Sequence, residues 1–200
     1  YEIVSRDWSS DVCSSDLARE MAAAVDQEFA RVSADLGCST TERIVTIAQS
    51  QDAYRKTTAS AEWSGGQFDG RIRVPVFDGK AMDAEMRATL AHEVAHACLA
   101  MTGRWPTWLH EGIAQMASGR TLSAAERAAV AQQARAKKMT LALSAEEWTN
   151  LDAQSARLVY DLALTAVEVF RQDSGGLRNL LRNPERLPQV TAELDRKLGL

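Results

Sequence analysis

The stretch His92-Glu93-Val94-Ala95-His96 decides the fold predicted for this chain. On an α-helix, residues four apart lie about 40° from each other around the axis and roughly 6 Å apart along it. Both imidazoles therefore project from one face and can bind a single metal ion, while Glu93 lies on the flank of that face. Asp83 is the expected N-cap of this helix, and Gly103 followed by Pro106 is expected to end it.

Composition is that of an ordinary globular domain. With 200 residues, 46% of them hydrophobic and 25% charged, the chain is long enough to bury a core and is not expected to be disordered. The net charge of −4 and the pI near 5.5 give no broad basic field for nucleic acid or an anionic membrane. No run approaches the roughly 18 apolar residues of a membrane span. The odd count of three cysteines predicts no disulfide framework, and Cys98 is expected to be a small buried hydrophobic residue.

The N-terminal segment is unlike the rest of the chain. The sequence begins at Tyr1 instead of Met, and no signal peptide is visible. Residues 7–17 resemble the in-frame translation of a common short-read sequencing adapter; the alternative is a polar linker. We therefore expect residues 1–17 to be a non-native or disordered leader, with the native start missing.

Periodicity predicts a helix and a strand before the His-Glu-x-x-His (HExxH) motif at residues 92–96. Apolar residues recur at helical spacing over residues 18–36, and residues 43–48 are rich in β-branched side chains, as in a strand. Residues 50–70 are expected to be mostly loop, with Tyr54 and Trp63 as packing residues.

A second strand is predicted directly before the HExxH helix. Residues 70–77 begin with an alternation of polar and apolar side chains, which indicates one buried face. Pro75 cannot donate to a ladder, so we expect an edge strand. Such an edge could pair with an extended peptide. The alternative is an ordinary edge strand, blunted by Pro75 and its arginines.

The C-terminal half of the sequence is mostly helical in pattern. A Ser-x-x-Glu spacing at Ser123 and at Ser144 predicts two helix starts. The nearly continuous apolar stretch 153–170 predicts a buried helix, and short helices are expected at 177–182 and 190–198. The fold class is therefore α+β: a small N-terminal sheet with an edge strand, the HExxH helix and a mostly helical C-terminal half.

A catalytic zinc site needs a third protein ligand and an open position for water. The downstream candidates are His110 and Glu111, on a helix whose expected N-cap is Thr107, and spacing alone leaves both candidates open. A metzincin would have Gly in place of Leu99 and its third His in place of Thr102, so that class is excluded.

The HExxH motif, followed by Trp-Leu-x-Glu-Gly-x-Ala at residues 108–114, resembles the gluzincin, or peptidase-MA-like, zinc metallopeptidases. The resemblance covers roughly residues 18–200, which would form a single zincin-like domain that could be truncated at both ends. It implies Glu93 as the general base. It also implies one Zn²⁺ ion with three protein ligands: His92, His96 and Glu111.

The resemblance also suggests smaller roles. Gluzincins often supply a Tyr or His from a later helix to stabilise the oxyanion, and Tyr160 stands where many relatives carry a Tyr. The alternative is a core tyrosine whose hydroxyl is bonded locally. Gln115, one turn beyond Glu111, could orient that ligand. The Gly-x-Met-Glu-Asn motif of the aminopeptidase branch is absent, which favours endopeptidase activity or a narrow substrate.

The expected function is zinc-dependent hydrolysis of peptide bonds in a peptide or protein substrate, by a metal-activated water with Glu93 as general base. One alternative is a catalytically inactive gluzincin-like domain whose metal serves stability or partner recognition. Another is an accidental HExxH match in a helical interaction domain, which requires Glu111 to lie far from the two histidines. The resemblance fits a secreted, periplasmic or membrane-anchored protein, and the compartment and oligomeric state stay open.

Overall fold

The computed structural model describes residues 15–40, 44–58, 65–77, 81–173 and 176–200. Over these residues the fold is α+β, mostly helical with one three-stranded sheet, and none of the described helices is long and apolar enough to cross a membrane. The chain divides into two compact units, Tyr1–Met101 and Thr102–Leu200. The leader predicted at residues 1–17 lies mostly outside the described residues, as does Trp63, and the single domain over residues 18–200 stays a prediction.

The first unit contains the sheet and the helix with the HExxH motif. Its elements are α1 (Ser15–Leu36), β1 (Thr46–Ser50), α2 (Gln51–Thr57), β2 (Gln67–Phe68), β3 (Ile72–Val76) and α3 (Ala84–Thr102). The buried residues of α1 include Met21 and Val25, which confirms the helix predicted there. The loop predicted over residues 50–70 is wrong in part, because α2 occupies its start. The Ser50 hydroxyl caps α2 by accepting from the backbone N–H of Ala53, and Tyr54 is buried on it as expected.

The strand predicted at residues 70–77 is the middle strand of the sheet, so its assignment as an edge strand is wrong. The strand order is β1-β3-β2, with β1 parallel and β2 antiparallel to β3. The backbone N–H of Ile72 donates to Val45 on the β1 side, so the nitrogen of Pro75, three residues on, faces the β2 side. Over the described residues, β2 pairs only with Ile72 and Arg73 of β3. Pro75 lies beyond these pairs, so its missing N–H interrupts no hydrogen bond of the ladder. The predicted alternation is confirmed by the buried residues of β3: Ile72, Val74 and Val76.

The second unit is helical over its described residues. Its elements are α4 (Thr107–Ala117), α5 (Ala124–Ala136), α6 (Ala145–Thr149), α7 (Ala153–Asp173), α8 (Leu177–Arg182), a 3-10 turn (Pro184–Arg186) and α9 (Leu187–Leu198). Both predicted capping boxes are confirmed, because Ser123 and Ser144 each exchange hydrogen bonds with the glutamate three residues later. The buried helix predicted from residue 153 is also confirmed: α7 packs against α4, α5 and α9, and Leu162 and Val167 are among its buried residues.

A disulfide joins Cys38 to Cys98 within the first unit. Cys38 follows the end of α1, Cys98 lies on α3, and their Cα atoms are 5.5 Å apart. Cys98 is fully buried as expected, but the expectation of no disulfide is wrong, because an odd count of cysteines does not exclude a pair. The bond ties α3 to the end of α1, two residues beyond His96.

Loss of the disulfide should destabilise the protein. The bond joins residues separated by 60 positions, and closing a loop of that length contributes roughly 2–4 kcal/mol, chiefly by restricting the unfolded chain. We expect Cys38→Ser, Cys98→Ser and the double variant to lose the same free energy of unfolding in urea, since each removes the same bond. Wild-type protein unfolded under reducing conditions should show the same loss. An unchanged urea midpoint in all three variants would contradict the pairing.

Candidate metal centre

Two of the predicted ligands, His92 and His96, lie one turn apart on α3. The helix starts where the sequence indicates, because Oδ1 of Asp83 accepts a 2.7 Å hydrogen bond from the backbone N–H of Met86 and so caps the first turn. The two imidazole rings meet edge to face, with centroids 4.8 Å apart and an interplanar angle of 77°. Their Nε2 atoms are 3.2 Å apart, so both rings direct the same nitrogen to one point.

The spacing of these nitrogens fits a bound metal ion. Two ligand atoms at about 2.0–2.1 Å from a tetrahedral zinc ion are about 3.3 Å apart. The 3.2 Å between Nε2 of His92 and Nε2 of His96 is close to that value. Without an ion, the same contact is a hydrogen bond when one imidazole carries its proton on Nε2 and the other does not. An ion bound to both Nε2 atoms would take the place of that hydrogen bond, with each imidazole carrying its proton on Nδ1.

Glu111 completes a group of three possible ligands. One ligand atom from each of His92, His96 and Glu111 lies within 4.8 Å of the other two, and the three residues are half-buried. This group could hold a metal ion. Its donors, two imidazole nitrogens and one carboxylate oxygen, would leave one position of a four-coordinate site for water.

The helix that carries Glu111 starts one residue differently from the prediction. Thr107 was expected as the N-cap, but it is the first residue of α4, and Pro106 precedes it without a side-chain cap. The carbonyl of Pro106 accepts hydrogen bonds from the backbone N–H groups of Leu109 and His110 instead. Glu111 therefore begins the second turn of the helix, where the backbone is regular.

Close packing against α7 fixes the position of α4. Gly112, directly after Glu111, has no room for a side chain: a Cβ there would collide with the carbonyl oxygen of Ala163 and would lie 2.6 Å from Cγ2 of Val167. Such an approach of two helix backbones is possible only where one of them carries glycine. The candidate ligand Glu111 is therefore followed directly by Gly112, the residue that allows its helix to pack closely against α7.

Gln115 bonds to backbone carbonyls and not to the Glu111 carboxylate, so the prediction that it orients this candidate ligand is wrong. The side-chain Nε2 of Gln115 donates to two backbone carbonyls, those of Tyr160 at 2.7 Å and Glu111 at 3.3 Å. Its Oε1 is buried without a hydrogen-bond partner. The amide thus joins α4 to α7 one turn beyond the candidate ligand.

His110, the alternative third ligand, is not part of the ligand group. Burial lowers the pKa of its imidazole below the ordinary value, and the neighbouring Glu111 carboxylate opposes that shift. The imidazole is therefore neutral near pH 7 and adds no positive charge beside Glu111.

Glu93, the predicted general base, is buried: only 4% of the residue is exposed. The backbone of Gly66, just before β2, covers it, because a Cβ on Gly66 would lie 2.9 Å from both Cγ and Oε1 of Glu93. In the sequence, Gly65-Gly66 indicates only a break within the loop expected over residues 50–70. A double glycine before a strand is the local signal that the backbone can pass close to another element. It does not indicate which side chain of that element the backbone will contact.

Tyr160, the predicted oxyanion residue, lies on α7. Its ring is half-buried and meets the ring of Trp148 edge to face, with centroids 5.3 Å apart. The sequence did not single out Trp148, which lies on the five-residue helix α6. Its contact with Tyr160 depends on how α6 and α7 pack, and local patterns carry no signal for that.

Comparison with known proteins gives no identification. No protein-family model, no curated protein and no solved structure matches the chain. No family is assigned.

Replacing Gly112 by Ala should force α4 away from α7. Overpacking of this kind costs about 1–3 kcal/mol, and the displaced helix carries Glu111 with it. We therefore expect a lower Tm and weaker zinc binding, measured by calorimetry and by titration with a fluorescent zinc indicator. Unchanged stability together with unchanged zinc affinity would contradict the close approach.

Proposed function

We propose that this protein is a zinc-dependent metallopeptidase of the gluzincin type that hydrolyses peptide bonds. The main support is the grouping of ligand atoms from His92, His96 and Glu111 within 4.8 Å of one another, on helices that carry the two motifs resembling that family. Glu93, adjacent to a ligand, adds the group that a hydrolytic site needs and a structural metal site does not.

Zinc is the metal that we propose for this donor set. Imidazole nitrogen suits zinc, whereas calcium and magnesium prefer sites built from oxygen atoms. Structural zinc sites usually have four protein ligands and are rich in cysteine. Both cysteines of the described residues are joined in the Cys38–Cys98 disulfide, so neither supplies a thiolate. Three ligands with one carboxylate match the catalytic class better.

When bound, zinc supplies Lewis acidity, which lowers the pKa of water toward about 7 and polarises a carbonyl oxygen. Glu111 offsets one of its two positive charges and the neutral imidazoles offset none, so one net positive charge remains to favour an oxyanion. The Glu93 carboxylate accepts a proton from the attacking water. It then returns that proton to the nitrogen of the leaving amine, and the peptide bond breaks.

Burial suits Glu93 to this proton transfer. The residue is 4% exposed, so bulk water competes little for its carboxylate. The approach of the Gly66 backbone limits where Cγ and Oε1 can lie. A base that is already held near its working position avoids the entropic cost of finding it during the reaction.

Tyr160 is proposed as a hydrogen-bond donor to the oxyanion. Its edge-to-face contact with Trp148 restrains the ring, and the resemblance gives the hydroxyl this role. The sequence contains no recognisable acidic anchor for a substrate amino terminus, so internal bonds of a peptide or protein are the proposed target.

The competing function is a catalytically inactive metal-binding domain, in which the ion serves stability or partner recognition. It requires zinc binding but no cleavage. Zinc-loaded protein incubated with a peptide library, with products identified by mass spectrometry, distinguishes the two. Cleavage that is lost on chelation and restored by zinc supports the peptidase.

Glu93→Gln should retain the metal and lose turnover. The amide keeps the size of the side chain but cannot accept the proton, and general-base catalysis contributes about 100- to 10,000-fold to such reactions. We expect kcat to fall by at least about 100-fold, with zinc content by mass spectrometry unchanged. Cleavage at the wild-type rate would contradict the assignment of the base.

Glu111→Ala should lose the metal, and His110→Ala is its matched control on the same helix. Removing a ligand should weaken zinc binding by more than the roughly 10- to 100-fold typical of losing a partner that only orients a ligand. His110→Ala should bind zinc like the wild type in the same titration. A reversal of the two results would move the third ligand to His110.

A further inference from the structure

The segment that precedes β2 packs against the face of α3 that carries Glu93. A Cβ built on Gly66 would lie 2.9 Å from Glu93 Cγ, 2.9 Å from Glu93 Oε1 and 2.9 Å from Thr89 Cγ2. All three distances are shorter than van der Waals contact. Because Thr89 and Glu93 are four residues apart, they lie on the same face of the helix. That face leaves no space for a side chain at position 66.

Lack of space, and not backbone conformation, requires glycine at this position. The glycines with positive φ among the described residues lie elsewhere, and Gly66 is not one of them. A residue with a side chain could therefore adopt the backbone of Gly66 without conformational strain. What opposes a side chain is the contact with α3 alone.

The neighbouring glycine lacks this contact with the base. Among the described residues, a Cβ on Gly65 would meet Thr89 alone, at 3.2 Å from Oγ1 and 3.7 Å from Cγ2. Substitution at Gly65 therefore disturbs the same segment and the same helix without pressing on Glu93. The two adjacent positions form a matched pair.

We propose that Gly66 is a positioning residue for Glu93. Its bare backbone closes over Cγ and Oε1, and this confines the buried carboxylate to one position next to His92 on α3. The role rests on the proposed peptidase function, since alignment of Glu93 matters to the reaction only if Glu93 is the base. It adds a requirement of its own: position 66 must carry no side chain if the base is to be aligned.

The first test compares Gly66→Ala with Gly65→Ala in zinc-loaded protein. Because a displacement of about 1 Å in a catalytic group can cost about 100-fold in rate, we expect Gly66→Ala to lower kcat by about 10- to 100-fold. Its KM and zinc affinity should stay within about threefold of the wild type, since no ligand is touched. Gly65→Ala should keep kcat within the same threefold range.

A double-variant cycle tests whether the effect passes through Glu93. In the Glu93→Gln background the base is already lost, so Gly66→Ala should lower the residual rate no further. Thermal unfolding gives a readout independent of catalysis. The fall in Tm caused by Gly66→Ala should be smaller in a Glu93→Ala background, because that change removes both Cγ and Oε1 from the contact. If Gly66→Ala does not fold on its own, the same tests are made on the Gly66→Ala/Thr89→Ser double variant. Thr89→Ser removes Cγ2 and so relieves one of the three close contacts.

The outcomes separate this role from the function on which it rests. If wild-type protein cleaves peptides and Gly66→Ala cleaves them equally well, the positioning role is overturned and the peptidase function stands. The role is also overturned if Gly65→Ala and Gly66→Ala lose equal amounts of kcat. It is overturned as well if Gly66→Ala lowers Tm equally in the wild-type and the Glu93→Ala backgrounds. If zinc-loaded wild-type protein cleaves no peptide, the peptidase function fails and this role fails with it.

Discussion

The spacing of two imidazoles on one regular helix is the constraint on which the rest of the site depends. The Nε2 atoms of His92 and His96 are 3.2 Å apart because four residues of α-helix bring both side chains to one face. The Asp83 cap holds α3 before the motif, and the Cys38–Cys98 bond holds it after the motif. The cap fixes the first turn of α3, and the disulfide fixes the helix directly after His96. The motif therefore lies between two points at which the helix is held.

Features that arise within one element could be predicted from the sequence. The common face of the two histidines and the Asp83 cap follow from helix geometry and backbone hydrogen bonding alone. The same is true of the capping boxes at Ser123 and Ser144. The third ligand is different, because spacing left His110 and Glu111 open and only the resemblance to a second motif favoured Glu111. The structure brings Glu111 into the group with the two histidines.

Three of the errors share a physical cause, which is contact between distant parts of the chain. The missing donor of Pro75 was interpreted correctly, but β2 pairs with the other half of that strand and makes β3 central. The Cys38–Cys98 pairing spans 60 residues, and no local pattern indicates it. Gln115 bonds to a carbonyl of α7, far along the chain from α4. The short helix α2 was missed for another reason: seven residues are too few to show a helical period.

Two glycines permit two separate packing contacts, one on the helix of a candidate metal ligand and one on the proposed base. Gly112 lets α4 approach α7 and so sets the helix that carries Glu111, whereas Gly66 lets the segment before β2 approach α3 and meet Glu93. In both places the backbone occupies the volume of an absent side chain, and a close-packed contact of this kind cannot adjust gradually. Under the proposed function, the first contact places the helix of a candidate metal ligand and the second limits the position of the proposed base. Because the two contacts share no residue, the proposed function implies that a change at Gly112 can weaken metal binding while a change at Gly66 lowers turnover.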